Sequence, residues 1–192
     1  MDVLSAIKNR RSTPKLKEAP VDPKKIEKIL EAAVWAPNHH MTEPWKFFVL
    51  SGEGRRPFSR VLREVAKGRV DDPESENGQK RIEKISRKPF AAPTVIVVAL
   101  SPSGKEKAIY IEDVCAVAAA SQNMLLATHS LELGAIWRSG PIYNTPGVKE
   151  YFNLREDEEI LGVIFLGEPE VEKKKATRTP YEEKTTWIDA DS

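Results

Sequence analysis

Apolar side chains near the start of the chain recur at the spacing of a helix. Asp22 precedes Pro23, which pairs an N-cap residue with a proline at the first helical position. One apolar stripe then returns every three or four residues, opposite a face rich in lysine and glutamate. Its members are Ile26, Ile29, Leu30, Ala33 and Val34. The pattern predicts an amphipathic helix that ends at Ala36-Pro37.

Four other segments have the length and composition of strands. Residues 45–50 are rich in aromatic and β-branched side chains and stop before Ser51-Gly52. Residues 94–100 form a continuous apolar run, which is typical of a strand covered on both faces of its sheet. We predict a further core strand at 160–166 and a shorter strand at 135–138.

A long helix is predicted before the short strand. Its pattern runs over residues 107–133, and Gly134 is expected to cap its C-terminus. The small residues 116–120 allow neighbouring backbone to approach closely, so we place this helix at the centre of the fold. The other predicted helices cover 2–9, 55–67, 76–87 and 145–152. The middle two of these are polar, and we expect them at the periphery.

Strands and helices alternate along all 192 residues, which predicts one α/β or α+β domain over residues 1–192. Charged residues make up 31% and apolar residues 40% of the chain, a balance typical of a globular protein. The net charge of +1 argues against an electrostatic nucleic-acid binder. We therefore expect no nucleic-acid partner.

The sequence also argues against a membrane-bound or secreted protein. The uncharged stretch 114–131 is interrupted by polar side chains, so it predicts a buried helix and not a membrane span. Residues 1–4 lack the basic region that opens a secretory signal. A single cysteine cannot form an intramolecular disulfide, which is consistent with a reducing compartment. We expect a cytoplasmic protein without a membrane partner.

The first candidate site is the segment Asn9-Arg10-Arg11-Ser12-Thr13, where the first predicted helix ends. Two guanidinium groups beside two hydroxyls suit a phosphate or a carboxylate. The alternative is a solvated helix end, where arginine interacts favourably with the helix dipole. Local chemistry leaves both interpretations open.

The second candidate is the loop 35–45, which joins the amphipathic helix to the first strand. It is dense in polar donors and aromatic rings, and it needs a ligand, water or another chain as partner. A metal is one alternative, with His39 and His40 beside His129 or Cys115 as ligands. Adjacent histidines rarely point the same way and the spacing matches no zinc pattern, so we expect no metal site.

The third candidate is the end of the short strand, where Trp137, Arg138 and Ser139 precede Gly140. Tryptophan packs or stacks, arginine binds anions, and glycine lets a ligand approach the backbone. The alternative is a buried Trp137 with Arg138 in a surface ion pair.

Several nucleotide-binding and hydrolytic motifs do not occur in the sequence: the dinucleotide fingerprint, the P-loop and the nucleophile elbow. We predict that Cys115 and His129 pack within the long helix and do not react. The basic run 173–175, with Arg178 after it, is expected to be solvated, although it can also reach a phosphate from outside.

Taken in order, these segments resemble the nitroreductase family of flavoproteins, in its compact branch. The resemblance covers roughly residues 2–187. The segments that carry it are 7–12, 29–37, 44–47, 133–140 and 160–169. Each is short, and their common order along the chain makes the resemblance specific.

The resemblance implies an α+β fold with a central, mainly antiparallel sheet wrapped by helices. It implies a homodimer with two FMN molecules at the subunit interface. The loop 35–45 would then be completed by the cofactor and the neighbouring subunit together. NAD(P)H is the implied electron donor, and a small molecule is the implied electron acceptor.

The resemblance also assigns residues to the cofactor. The expected FMN-binding residues are Arg10, Arg11, Ser12, Trp35, His39, Trp137, Arg138 and Ser139. The first three would bind the phosphate, the ribityl chain and the pyrimidine edge, the next two would reach the flavin across the dimer, and the last three would complete the site from the strand end. Many family members have Ser-x-x-Asn-x-Gln-Pro-Trp where residues 38–45 read Asn-His-His-Met-Thr-Glu-Pro-Trp.

The implied reaction is a ping-pong hydride transfer. NAD(P)H reduces the flavin and leaves, and a nitro compound, a quinone or a similar acceptor takes its place. No catalytic acid or base is required, and Arg10 or Arg11 is expected to stabilise the reduced flavin. Two alternatives stay open: a different flavin reaction, such as dehalogenation or flavin fragmentation, and a non-catalytic binding protein on the same fold.

Overall fold

Helices and strands alternate along the chain, as the sequence pattern predicts. The computed structural model describes residues 2–171 and 176–188. Within these ranges the α-helices are α1 (Val3–Asn9), α2 (Pro23–Val34), α3 (Arg55–Lys67), α4 (Glu76–Ser86), α5 (Tyr110–Ser130) and α6 (Pro146–Tyr151). The strands are β1 (Trp45–Ser51), β2 (Thr94–Leu100), β3 (Gly134–Arg138) and β4 (Glu159–Gly167).

The four strands of the described chain form one antiparallel sheet in the order β1-β2-β4-β3. Every residue of β2 is buried, as its continuous apolar run predicts. The register between β2 and β4 shifts after Val98, which lies opposite Gly162, so that Leu161 is an extra residue on β4. The predicted α+β class with a mainly antiparallel sheet is confirmed.

Helices cover both faces of the sheet. On one face α2 and α5 pack against Ile96, Val98 and Ile164. On the other face α3 and α6 pack against Val97 and Phe165. Side chains alternate between the faces along each strand, so both cores draw on the same strands.

The peripheral position expected for both polar helices is wrong for α3. Its side chains Phe58, Leu62 and Ala66 are completely or almost completely buried in the second core. They recur at every fourth residue and form one apolar stripe on an otherwise charged helix. Helix α4 packs mainly on α3, with Ile82 completely buried, and its Ile85 packs against the same core.

Helix α5 lies at the centre of the fold, as predicted, with Val117 and Ala120 buried in the core that it shares with the sheet and α2. The C-cap predicted at Gly134 is wrong, because that residue opens β3 and the left-handed residue after α5 is Glu132, with a φ of 63°. Gly134 serves a close approach instead: a Cβ there would lie 2.9 Å from side-chain atoms of Thr13 and Leu16. No helix in the described part of the chain is long and apolar enough to cross a membrane.

The stretch from Ser12 to Lys17, which we call the N-terminal arm, runs beside the outer edge of the sheet. Ser12 pairs with Ala135 of β3, and Leu16 pairs with Pro169 beyond β4. The Lys17 N–H donates to the Glu168 carbonyl at 2.9 Å. The arm therefore follows β3 and continues past the end of β4.

A buried carboxylate ties three strands together at the end of the sheet where β1 begins. Glu158 has no exposed side-chain area. One of its oxygens accepts from Lys46 Nζ at 2.5 Å, Ser101 Oγ at 2.5 Å and Arg155 Nη1 at 3.0 Å. The other accepts from the Arg155 N–H at 2.6 Å. Burial alone would raise the pKa of Glu158, but these bonds outweigh it and lower the pKa to about 2.

Candidate functional site

The fold brings the first and third predicted segments together at the β3 edge of the sheet. Helix α1 ends at Asn9, and the chain then turns along β3. Ser12 pairs with Ala135, and the Thr13 N–H donates to the Ala135 carbonyl at 2.8 Å. Ala135 and Arg138 are three residues apart on β3, a separation of about 10 Å. A ligand of moderate length can therefore touch both the arginine pair and the end of the strand.

Three guanidinium groups lie near one another where α1 ends. Burial lowers the pKa of Arg10, and the positive charges of Arg11 and Arg178 lower it further. The Arg11 side chain donates to the carbonyls of Lys8 and Arg10, at 2.7 and 2.9 Å, so it also caps α1. Within the described residues no carboxylate lies at ion-pair distance from Arg10. This concentration of positive charge favours an anionic ligand. The basic run 173–175 lies outside the described residues.

A cavity of about 390 Å³ opens at the end of β3. It is lined by Lys88, Ala91, Arg138, Ser139, Tyr143 and Phe165. The Lys88 ammonium lies 5.6 Å from the centre of the Tyr143 ring, and the Arg138 guanidinium lies 5.7 Å from the centre of the Phe165 ring. The cavity thus combines aromatic walls with two cations.

Both cations of this cavity shape its electrostatics. Burial lowers the pKa of Lys88, and the nearby charges of Arg138 and Lys84 lower it further. Burial also raises the pKa of the Tyr143 hydroxyl, which the Arg138 charge partly opposes. Neither Lys88 nor Arg138 forms an ion pair with a carboxylate in the part of the chain that the structure describes. The cavity is therefore suited to a ligand that carries or develops negative charge.

The neighbours Trp137 and Arg138 point to opposite faces of the sheet. Trp137 packs with the core of α2 and α5, and Arg138 lies on the face of α3 and α6. The indole covers Gly162, where a Cβ would lie 1.8 Å from Trp137 Nε1. This Nε1 is buried without a hydrogen-bond partner among the described residues. Of the predicted strand-end residues, Arg138 and Ser139 line the cavity, and Trp137 packs behind it.

The second predicted segment lies elsewhere in the same chain. Trp35 follows α2 with 80% of its surface exposed, and His39 Nδ1 lies 3.3 Å from Glu112 Oε2 in the first turn of α5. This loop leads into β1, which is separated from β3 by three strand spacings, about 14 Å. Within one chain, the strand into which this loop leads therefore lies at the opposite edge of the sheet from β3.

Four cavity residues were not predicted as site residues from the sequence: Lys88, Ala91, Tyr143 and Phe165. The first three lie in short 3-10 turns, at Lys88–Ala91 and Pro141–Asn144, and Phe165 lies on β4. Cys115 is exposed on α5, so the prediction that it packs inside the helix is wrong. His129 is buried on α5, as predicted. In residues 2–171 and 176–188, no three His, Cys, Asp or Glu side chains cluster in a way that could hold a metal ion.

Comparisons with known proteins agree with the fold. The nitroreductase family profile matches residues 7–168. YdjA of Escherichia coli strain K12, named among the NAD(P)H nitroreductases, is 34% identical over 180 residues, which cover 94% of this chain and 95% of YdjA. The crystal structure of a nitroreductase-like protein from Bacillus cereus superposes with a TM-score of 0.80, 27% identity, and coverage of 99% of this chain and 97% of that one.

A second solved structure is similar over almost the whole chain. It is a nitroreductase-type protein of Desulfovibrio desulfuricans crystallised in complex with FMN. Its TM-score is 0.70 at 27% identity, and the match covers 98% of both chains. Together with the family profile and the identity to YdjA over nearly the full length, these likenesses establish that the chain belongs to the nitroreductase family.

Proposed function

We propose that this protein is an FMN-dependent NAD(P)H oxidoreductase. It acts as a homodimer and reduces a nitro compound, a quinone or a similar small acceptor. The observation that carries the proposal is a pair of cationic centres, one where α1 ends beside β3 and one at the end of β3. One is the guanidinium cluster of Arg10, Arg11 and Arg178, and the other is the cavity with Lys88 and Arg138. FMN has two anionic ends that match them: a phosphate and a pyrimidine ring that gains negative charge on reduction.

The guanidinium cluster fits the phosphate end. Arginine donates forked hydrogen bonds that match phosphate oxygens, and the Ser12 hydroxyl adds a further donor. Arg10 is partly buried and has no carboxylate at ion-pair distance within the described residues, so a bound phosphate would offset its charge. Arg178 comes close enough for its charge to act on Arg10, which supports a phosphate contact from this residue as well.

The cavity fits the ring end. Its volume of about 390 Å³ lies within the range usual for small-molecule sites. When bound there, FMN would supply the hydride chemistry, taking electrons from NAD(P)H and passing them to the acceptor. Lys88 and Arg138 place two positive charges where negative charge develops, so they favour the reduced state electrostatically. We therefore assign the stabilisation of the reduced flavin to Lys88 and Arg138. The sequence leads us to expect this role for Arg10 or Arg11 instead.

A second copy of the chain completes the site. Apolar side chains are exposed on α1, on α5 and after α2: Val3, Leu4, Ile7, Trp35 and Ile111, each with more than half of its surface exposed. Apolar exposure of this extent supports a subunit interface. The interface would bring Trp35 and His39 of the partner to the flavin, since within one chain their loop leads into the strand at the opposite edge of the sheet from β3.

The side chains of the site bind and orient, and none is required as a general acid or base. Ser139 and Gly140 let the ring approach the backbone at the end of β3, with φ of Gly140 at 155°. The donor and the acceptor would use the same slot one after the other, which gives ping-pong kinetics.

An absorbance experiment tests the proposal. The purified protein is expected to show the visible bands of oxidised flavin, and anaerobic addition of NADH or NADPH is expected to bleach them. Reoxidation by a panel of nitro compounds and quinones then identifies the acceptor class. A colourless protein that takes up no FMN when the cofactor is added would overturn the proposal.

A further inference from the structure

The loop of residues 38–43 has a backbone that is uncommon for its sequence. His40, Met41 and Glu43 have φ values of 52°, 50° and 45°, and none of them is glycine. Side chains with a Cβ rarely adopt this left-handed conformation. Such residues persist where the surrounding structure holds them in place, and they cluster at binding sites. We therefore expect contacts from elsewhere in the chain to hold this loop in place.

Lys105 holds the backbone of the loop from outside. It lies in the connection between β2 and α5, and its Nζ donates to the Met41 carbonyl at 2.7 Å and to the His40 carbonyl at 3.3 Å. These are the carbonyls of the two adjacent left-handed residues. A single ammonium thus bonds the part of the loop that is least favourable for its sequence.

The first turn of α5 holds the two residues on either side of this pair. Glu112 Oε2 lies 3.3 Å from His39 Nδ1, at ion-pair distance but without the geometry of a hydrogen bond. The Thr42 hydroxyl donates to Asp113 Oδ1 at 2.7 Å, in a hydrogen bond whose two partners are both buried. Together Lys105, Glu112 and Asp113, which we call the loop anchor, contact each of the four consecutive residues from His39 to Thr42.

We propose that Lys105 and Glu112 of this anchor are positioning residues for the flavin site. The inference rests on the proposed function, in which His39 reaches the flavin of the partner subunit. Glu112 faces Nδ1 of the His39 ring, so Nε2 is the nitrogen left for a ligand. Lys105 fixes the backbone on which the ring is mounted. Without its ammonium, the left-handed pair relaxes towards ordinary backbone angles and the His39 ring moves out of place.

The experiment compares three variants of the flavin-loaded protein. Lys105→Met removes the ammonium and keeps the length of the side chain, and Lys105→Arg keeps a positive donor. Lys107→Met is the matched control, because Lys107 is exposed in the same connection. Hydrogen exchange of the peptide spanning residues 38–44 reports on the loop directly. The rate at which FMN fluorescence recovers after dilution reports on cofactor retention without any turnover.

We expect Lys105→Met to speed exchange in the loop, including the Thr42 amide, by about tenfold, the equivalent of about 1.4 kcal/mol. FMN should dissociate faster by a similar factor. Lys105→Arg should restore most of both properties, and Lys107→Met should change neither. Unchanged exchange in Lys105→Met overturns the proposal, and so does faster exchange with unchanged FMN dissociation.

A second variant tests the contact to the histidine ring. Glu112→Gln removes the carboxylate charge and leaves the backbone contacts of Lys105 in place. We expect FMN to dissociate several-fold faster while exchange of the loop stays as in the wild type, and unchanged dissociation would remove Glu112 from the proposal. If the wild-type protein takes up no FMN, the proposed function fails, and loop exchange in Lys105→Met still decides whether Lys105 holds the loop.

Discussion

Replacing Glu158 by glutamine tests how one buried charge stabilises the fold. The substitution keeps the size and shape of the side chain and removes its negative charge. The residues that donate hydrogen bonds to Glu158 lie on or next to three strands: Lys46 on β1, Ser101 after β2 and Arg155 shortly before β4. The glutamine cannot offer about four acceptor sites as the carboxylate does, and its NH₂ group finds no lone pair on the Lys46 ammonium or the Arg155 guanidinium. We therefore expect a clear loss of stability at neutral pH.

The size of the loss follows from the pKa. The pKa of Glu158 is about 2 in the folded protein, against an ordinary value of 4.5. This difference corresponds to an upper limit of about 3 kcal/mol. The Lys46 and Arg155 side chains are 41% and 51% exposed, and solvent screens their charges, so we expect a loss of about 1 to 2 kcal/mol.

The sign of the pH dependence follows from the same values. The folded pKa lies below the unfolded pKa, so the contribution is fully present above the unfolded value of 4.5 and is lost as the pH falls towards 2. The difference in unfolding free energy between wild type and Glu158→Gln should therefore be largest near neutral pH and shrink through this window. Urea denaturation followed by tryptophan fluorescence, repeated across the window, measures it. A difference that stays constant as the pH falls would refute the reasoning.

Three further predictions concern the site. Arg10→Ala should weaken FMN binding about 10- to 100-fold, because it removes charge-assisted bonds to the phosphate. Lys15→Ala, an exposed control, should leave FMN binding unchanged. Flavin content after purification measures both variants. Lys88→Met removes a positive charge and should lower the flavin reduction potential by roughly 20 to 60 mV, about 1 to 3 kcal/mol. Lys84→Met should change the potential less. An unchanged potential for Lys88→Met on dye equilibration would exclude Lys88 from the ring site. Gly162→Ala should lower the free energy of unfolding by denaturant by about 3 kcal/mol, because its Cβ would overlap Trp137. Adding Trp137→Leu should recover part of this loss, and additive losses would contradict the contact.

Much of the fold follows from local patterns in the sequence. Asp22 caps α2 as predicted, with its carboxylate accepting from the Lys24 N–H. The run at 94–100 is the fully buried β2, with the predicted bounds. The period of two along a strand also indicates that Trp137 and Arg138 point to opposite faces, a signal that sequence reasoning did not use.

The rest depends on contacts between distant parts of the chain. Lys88 follows a charged helix and resembles any surface lysine in the sequence, and only the packing of its turn beside β3 makes it a cavity residue. Similarly, Gly134 looks like a helix cap until the N-terminal arm is placed against it. The expected roles of Trp35 and His39 need a second subunit, so the sequence and fold of one chain leave them as predictions.

The N-terminal arm has a consequence for the behaviour of the protein without its cofactor. Exposed edge strands invite pairing with other chains, and the arm occupies part of the outer edge of β3. The same stretch begins at Ser12, directly after the arginines proposed to hold the FMN phosphate. Loss of the cofactor would therefore loosen the N-terminal arm that covers this edge of β3. Apoprotein should aggregate sooner than holoprotein on storage, and added FMN should keep it in solution.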